Sequence, residues 1–432
     1  MLTKLAPYRL KTLLVGIQLC ITLLFCPAQV NKSVPSLVSD SANYSSTDKV
    51  TLNARFEKIK IPLFKKGNEK RLWLLPALAW NNYDKTQVGL MIGAEQKDKY
   101  RILALPMFGI GSNNLTGIFT SEVILPTKSS KLKTSFGLNA KRFTYLLFPE
   151  DLSFNKLSPF VNLEPKLNIK GQLSLYFQHQ SIWQEYLLLG RKTNYFQLNT
   201  LGAKHLLVNA KLGVQSSADL LLGKQFATFT IKSDLVVNYQ NKASNYFYVS
   251  AFAGTFLYNT RSSTNIDAPL PIFQLSGSTN SGFYWLQKDF GINDFYFDRN
   301  GIDPFFKRQQ APSEGGFKSL TSMGNSNSFL FAVNLKSDLL FPLKLKRIIN
   351  IQPFVNLASS KLRNSKSEWY AEGGISIGFW DDVLSFHFPF AATKNIRLNQ
   401  STVYDIQKGD WTKRITFSLD FMKLKRKIIQ DQ

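Results

Sequence analysis

Three histidines and two cysteines are all that this chain of 432 residues offers to thiol or imidazole chemistry. His179, His205 and His387 stand far apart, without the spacing that sets two metal ligands on one helix face. Ser385 and His387 are two positions apart, which on a strand places both on one face. A serine beside a histidine is the start of a nucleophile–base pair, but no motif here supplies the group that would orient it. His387 is therefore read as a member of a polar network. The stretch Ser313-Glu314-Gly315-Gly316 lacks the strand–turn–helix frame of a phosphate-cradling loop. No catalytic residue, metal or cofactor is expected, and the chain is read as not an enzyme.

Carboxylates are the remaining chemical resource. Glu122, Glu164, Asp219, Asp234, Asp338, Glu372 and Asp420 fall on the polar side of alternating segments. A pair of them could serve a hydrolase as general acid and base. They are matched, however, by Lys131, Lys133, Lys141, Lys166, Lys211, Lys232, Lys336 and Arg414, eight bases to seven acids. Nearly balanced charge on one face reads as structural ion pairing. Lys131, Lys133, Lys141, Lys232, Asp234, Lys336, Asp338, Arg414 and Asp420 are the expected members of this charge network.

The elements that must hold these residues are strands. From about residue 72 the sequence alternates with period two. Ile415, Phe417, Leu419 and Phe421 point one way while Arg414, Thr416, Ser418 and Asp420 point the other. Phe229, Ile231, Leu235 and Val237 oppose Thr230, Lys232, Asp234 and Asn238 in the same manner. The runs commonly reach ten residues, near the roughly 9–11 of a membrane-spanning strand and longer than the usual five or six of a soluble one. Whole charges in mid-strand suit a wet lumen, with the apolar face turned to lipid. The fold class expected is therefore all-β, a transmembrane antiparallel up-and-down barrel.

Strands are expected at 72–80, 86–95, 100–109, 114–125, 130–143, 156–168, 172–184, 194–204, 209–221, 226–239, 245–258, 327–341, 348–361, 368–380, 383–391 and 413–421. That is sixteen, the even number of a bacterial single-chain barrel. Short connections then fall on the periplasmic side. The long ones, 144–155, 185–193, 259–326 and 392–412, fall on the external side. Pro76, Pro106, Pro159, Pro165, Pro353 and Pro389 sit in or beside these strands, where a ladder has no use for a residue without an N–H.

Composition narrows the class further. The chain is 44% hydrophobic and 13% aromatic, too apolar for wholesale disorder. Lys4, Arg9 and Lys11 precede the short apolar run Leu13 to Phe25, and Cys26-Pro27-Ala28 offers small residues for cleavage before Gln29. Residues 1–28 are read as a signal peptide, so the mature chain would hold no cysteine. Residues 29–71 form a periplasmic segment, 72–421 the outer-membrane barrel with the long external loop 259–326, and 422–432 a basic periplasmic tail. The net charge of +24 gathers in bursts such as Lys65 to Arg71 and Lys423 to Lys427. With no nucleic-acid motif between them, these read as solvated rims near anionic lipid. Nucleic acid is not an expected partner.

Particular residues carry a resemblance. Leu75-Pro76-Ala77-Leu78-Ala79-Trp80-Asn81-Asn82-Tyr83-Asp84 followed by Val88-Gly89-Leu90 resembles the first hairpin of outer-membrane barrels of the BamA/TamA superfamily. The nearest version is the barrel appended to zinc aminopeptidase-like proteins of Bacteroidota. Pro106 to Gly109, Asn139 to Phe143, Tyr370 to Gly378, Leu384 to Pro389 and Arg414 to Phe421 fit its later strands. The peptidase part is absent, since no H-E-x-x-H occurs, and residues 29 to 71 are too few for a POTRA domain. The resemblance implies an outer-membrane barrel of a Gram-negative bacterium acting in membrane biogenesis or transport. Its partners would be outer-membrane lipid and periplasmic or outer-membrane proteins. It also implies a contact between the long loop and the lumen. Asp298-Arg299-Asn300-Gly301 is a degraded Arg-Gly motif, and Arg299 would meet Glu372. The alternative to biogenesis is a passive channel, or a structural barrel whose loops bind something outside.

Overall fold

The computed structural model describes residues 70–419 except 97–98, 126–131, 147–151, 167–170, 188–190, 209–211, 240–244, 261–271, 278–304, 311–312, 340–347, 363–364 and 381. The leader, the N-terminal segment, Lys131, Lys211, Arg299, Asp420 and the basic tail lie outside the described residues.

The described chain is one antiparallel meander. Its strands are β1 (Lys70–Asn81), β2 (Lys85–Gln96), β3 (Tyr100–Gly109), β4 (Asn114–Leu125), β5 (Leu132–Leu146), β6 (Leu152–Pro165), β7 (Gln172–Leu187) and β8 (Arg191–Val208). They continue as β9 (Leu212–Gly223), β10 (Phe226–Asn238), β11 (Tyr246–Asn259), β12 (Phe329–Ser337), β13 (Ile349–Lys361), β14 (Glu368–Phe379), β15 (Leu384–Ala392) and β16 (Thr416–Leu419). All sixteen pair in sequence order within a single sheet. The fold class and strand number match the period-two reading. One helix, α1 (Lys394–Val403), and a short 3-10 turn, Trp411–Arg414, fill the connection before β16.

Two expected loops are shorter than the sequence suggested. β5 and β6 remain paired out to Leu146 and Leu152, and β7 and β8 out to Leu187 and Arg191. The reason is a change in what each face must meet. Lower on β7 and β8 the outward pair is Phe177 and Leu201, both exposed. Above it the outward pairs become His179–Asn199, Ser181–Gln197 and Trp183–Tyr195. Over the same height the inner face holds a buried apolar cluster of Phe143, Leu152, Phe154, Ile182, Leu198 and Phe226. The pattern thus inverts along the strands: apolar outside and polar inside below, polar outside and apolar inside above.

The prolines sit where the ladders can spare an N–H. Pro76 is on β1, whose one ladder is to β2. Pro106 and Pro159 fall in gaps of the β2–β3 and β6–β7 ladders. Pro165 ends β6, Pro353 lies just beyond the last β12–β13 pair, and Pro389 adjoins the register shift at Gly373 and Gly374. Around Pro106 the flanking strands carry glycines. A Cβ on Gly89 would come within 2.1 Å of the Pro106 carbonyl oxygen, and Gly117 has φ +145 with the Leu105 carbonyl 2.2 Å from any added Cβ. Only glycine permits that approach.

Among the described residues no ladder joins β16 to β1. The two ends of the sheet are nevertheless brought together through the long loop. Trp80 of β1 contacts Phe306 and Phe417 of β16 stacks on Phe305. The sheet is therefore rolled up, with an outer face rich in exposed Leu, Ile, Val and Phe and an enclosed inner face.

Candidate functional site: a loop held in the polar interior

The interior between β11 and β15 is filled by the chain's own long loop. Phe273, Leu275 and Phe317 from the loop pack with Phe252, Leu330, Ala332, Ala358 and Tyr370 of the wall and Ile396 of α1. Phe273 pairs with Ser326 as a two-residue antiparallel bridge, with backbone bonds of 2.7 and 2.8 Å. So many buried aromatic groups could not stay in water, and the loop orders itself by covering them.

Polar bonds fix its register against the wall. Glu372, buried on β14, accepts hydrogen bonds from the backbone amides of Lys318 and, at 2.9 Å, Ser319, and from Asn356 Nδ2 at 2.7 Å. Thr416 Oγ1 donates to the Lys318 carbonyl at 2.6 Å. Asn399 of α1 accepts from Thr321 Oγ1 at 2.9 Å and from the Ser322 amide at 3.0 Å. A buried carboxylate served by three N–H donors is a strong anchor, since charge-assisted bonds exceed neutral ones. Glu372 thus meets the loop through main-chain amides of Lys318 and Ser319. Its expected partner Arg299 lies outside the described residues.

The Lys318 ammonium has no hydrogen bond or ion pair among the described residues, and its pKa falls from 10.5 to about 8. Burial is the larger cause and the neighbouring Lys336 the next, with Glu372 opposing and Lys232 adding a smaller repulsion.

The remaining charges are distributed along the inner face. Lys133 pairs with Glu164 at 3.3 Å, directly across β5–β6. Lys232 pairs with Asp234 at 3.0 Å, and Ser250 donates to Asp234 at 2.6 Å. Lys141 is buried, with Nζ 5.6 Å from the Phe143 ring, and stands opposite Lys156. Lys336 lies 4.7 Å over the Tyr248 ring. Asp338, just past β12, accepts from the Tyr246 amide at 3.0 Å, Gln352 Nε2 at 2.6 Å and Asn350 Nδ2 at 3.3 Å. Arg414 is a correction to the expected network. It ends the 3-10 turn outside β16 and donates to the carbonyls of Gln407 and Lys408 at 3.0 Å. Asp410 and Lys413 form an ion pair at 2.8 Å in that turn, and the strand begins after it, at Thr416.

Lys156, Lys204 and Lys318 escaped the sequence reading. Lys156 occupies an inward position of β6 opposite Lys141, a parity that period two could have supplied. Lys204 sits 4.5 Å over the Tyr176 ring, whose hydroxyl donates to Asp219. Lys318 belongs to a loop, where no periodicity operates.

His387 is buried and both ring nitrogens are engaged, Nδ1 with Ser376 Oγ at 2.8 Å and Nε2 with Ser418 Oγ at 3.1 Å. Ser385 is not among its partners. Among the described residues no group of three potential metal ligands occurs.

No protein-family model and no curated protein matches this chain. Among solved structures it is similar to BamA from Haemophilus ducreyi lacking POTRA domains 1–3, at 10% identity and a TM-score of 0.45, over 76% of this chain and 68% of that one. CdiB from Escherichia coli matches at 10% identity and a TM-score of 0.40, over 77% of this chain and 60% of that one. CdiB from Acinetobacter baumannii matches at 11% identity and 0.39, over 76% and 63%.

Proposed function

We propose that this chain is a non-enzymatic β-barrel of the outer membrane whose lumen is occupied by its own loop, and that it serves outer-membrane biogenesis or transport. The observation that carries the reading is the anchoring of the loop on the buried Glu372 of the inner face. Exposed Leu, Phe and Val on the outer face, with paired charges on the inner one, are the arrangement lipid outside and water inside would select. A freely conducting pore needs a continuous wet path, and the loop residues Phe273, Leu275 and Phe317 cover the inner wall with an apolar cluster. That weighs against the passive channel. The resemblance of the first-hairpin and final-strand patterns to those of the BamA/TamA superfamily agrees with the reading. The peptidase-associated subgroup remains a resemblance of sequence pattern.

The test is removal of the protein from its native cell, followed by quantitation of outer-membrane and secreted proteins. Depletion of a subset is expected. An unchanged set, with the purified barrel giving steady conductance in planar bilayers, would establish the passive channel instead. Esterase activity abolished by Ser385→Ala would overturn the non-enzymatic reading.

A further inference from the structure

Among the described residues no strand ladder joins the two ends of the sheet. Within them β16 runs for four residues and pairs with Leu384 to His387 of β15, while β1 runs for twelve. A strand edge facing lipid cannot be left with open N–H and C=O groups, because nothing in a bilayer core satisfies them. Beside β16, on the edge away from β15, lies the loop segment 305–310. Gln309 forms a parallel bridge with Phe417, and the Gln310 amide donates to the Phe417 carbonyl at 2.6 Å. Arg308 extends the attachment with a bond of 3.1 Å to the Thr412 carbonyl.

The same segment reaches the other end of the sheet. Phe305 stacks on Phe417 with ring centroids 5.2 Å apart, Phe306 lies 5.4 Å from Phe305, and Trp80 of β1 lies 5.4 Å from Phe306. Phe417 pairs in register with Phe386, whose neighbour Phe388 lies on the same outward row of β15. The rings Trp80, Phe306, Phe305, Phe417 and Phe386 therefore form an unbroken aromatic row from the first strand to the last two. Phe305 remains half exposed, at 52%, as a side chain of the outer surface would be.

We infer that the segment Phe305–Gln310 is a wall element: a strap that joins the first strand to the last and closes the barrel at its seam. It follows β16 in parallel, which an up-and-down meander cannot supply from a neighbouring strand in sequence. The strap satisfies edge groups of β16 and carries apolar rings on its lipid side. Its two flanks are then held differently, by hydrogen bonds toward β16 and by ring contacts toward β1.

The inference rests on the barrel reading, and cross-linking separates the two. In the full chain, Gln309→Cys with Phe417→Cys places two thiols at a bridge position, within the usual reach of a disulfide. Trp80→Cys with Phe306→Cys is joined by a short bismaleimide. Asn334→Cys with Asn356→Cys, in register on β12–β13, is the control within the wall. The expected result is cross-linking of all three pairs in the membrane-inserted protein. A linked control with either seam pair unlinked overturns the strap and leaves the barrel standing. An unlinked control overturns the sheet, and the strap with it. Gln310→Pro removes the amide that bonds Phe417, so the unheated folded band in SDS gels should be lost at a lower temperature than in the parent. The Trp80–Phe306 link should restore that temperature. A melting profile equal to the parent's would also overturn the strap.

Discussion

At the scale of single residues, Glu372 and Lys318 decide how the loop is held. Glu372 accepts from two loop amides and from Asn356, and removing it leaves those donors buried without an acceptor. Glu372→Ala should weaken loop docking by about 1.5–3 kcal/mol, the range for hydrogen bonds to charged groups. Urea unfolding in lipid vesicles reads this directly, and an unchanged midpoint would refute it. Lys318 acts in the opposite direction. Its pKa is about 8 when folded against 10.5 when free, so the folded state disfavours its proton. The penalty is fully present below pH 8, shrinks as pH rises from about 8 to 10.5, and is gone above that window. The groups acting on its charge are Lys336 and Lys232, which repel it, and Glu372, which attracts it. Folded-state stability should therefore rise from pH 8 to pH 10 more in the parent than in Lys318→Met. Parallel pH profiles for the two proteins would show that Lys318 is not responsible.

At the scale of elements, the inversion along β7 and β8 marks where the surroundings change. Phe177 and Leu201 face outward in the apolar row, while Gln197, one outward position from Asn199, bonds the Tyr195 hydroxyl at 2.7 Å. Trp183 and Tyr195, with centroids 5.3 Å apart, and the His179–Ser181 bond extend this polar aromatic patch. Lipid excludes charge and an interface tolerates it, so two substitutions on one strand face should differ. Leu201→Lys should cost about 2–4 kcal/mol if Leu201 lies near the bilayer midplane, and Gln197→Lys about 0–1 kcal/mol. Denaturant titration of both variants in vesicles measures the difference. Equal costs would mean that the band does not end between them.

At the scale of the molecule, the loop and the wall are one structure. Phe317 is 1% exposed and packs with wall residues of several strands, so it couples the loop to the barrel. Phe317→Ala should remove about 3–5 kcal/mol of that packing. Planar-bilayer recordings should then show openings that are rare in the parent. If the variant conducts no more than the parent, Phe273, Leu275 and Phe317 are not what blocks the path.

Period two, read along the chain, determined much by itself. It gave sixteen strands and their order, with β3 and β4 bounded at the same residues as in the structure. A strand whose two faces meet different media must alternate, and a strand that pairs with its sequence neighbour needs no distant information. The same alternation put Lys133, Glu164, Lys232 and Asp234 on one polar face, but which of them meet is fixed by the cross-strand register of the assembled sheet. What the tertiary structure decided lies where periodicity stops or changes meaning. The outer ends of β5 to β8 looked like loops because their polar faces turn outward above the apolar band. The prolines looked like errors because ladder gaps and edges are properties of the assembled sheet. The seam needed a loop segment, distant in sequence from both β1 and β16, to supply the edge bonds and rings between them. Glu372 was visible as an inward carboxylate, but its partners are backbone amides. Every residue but proline carries an amide, so only the path of the folded chain selects Lys318 and Ser319.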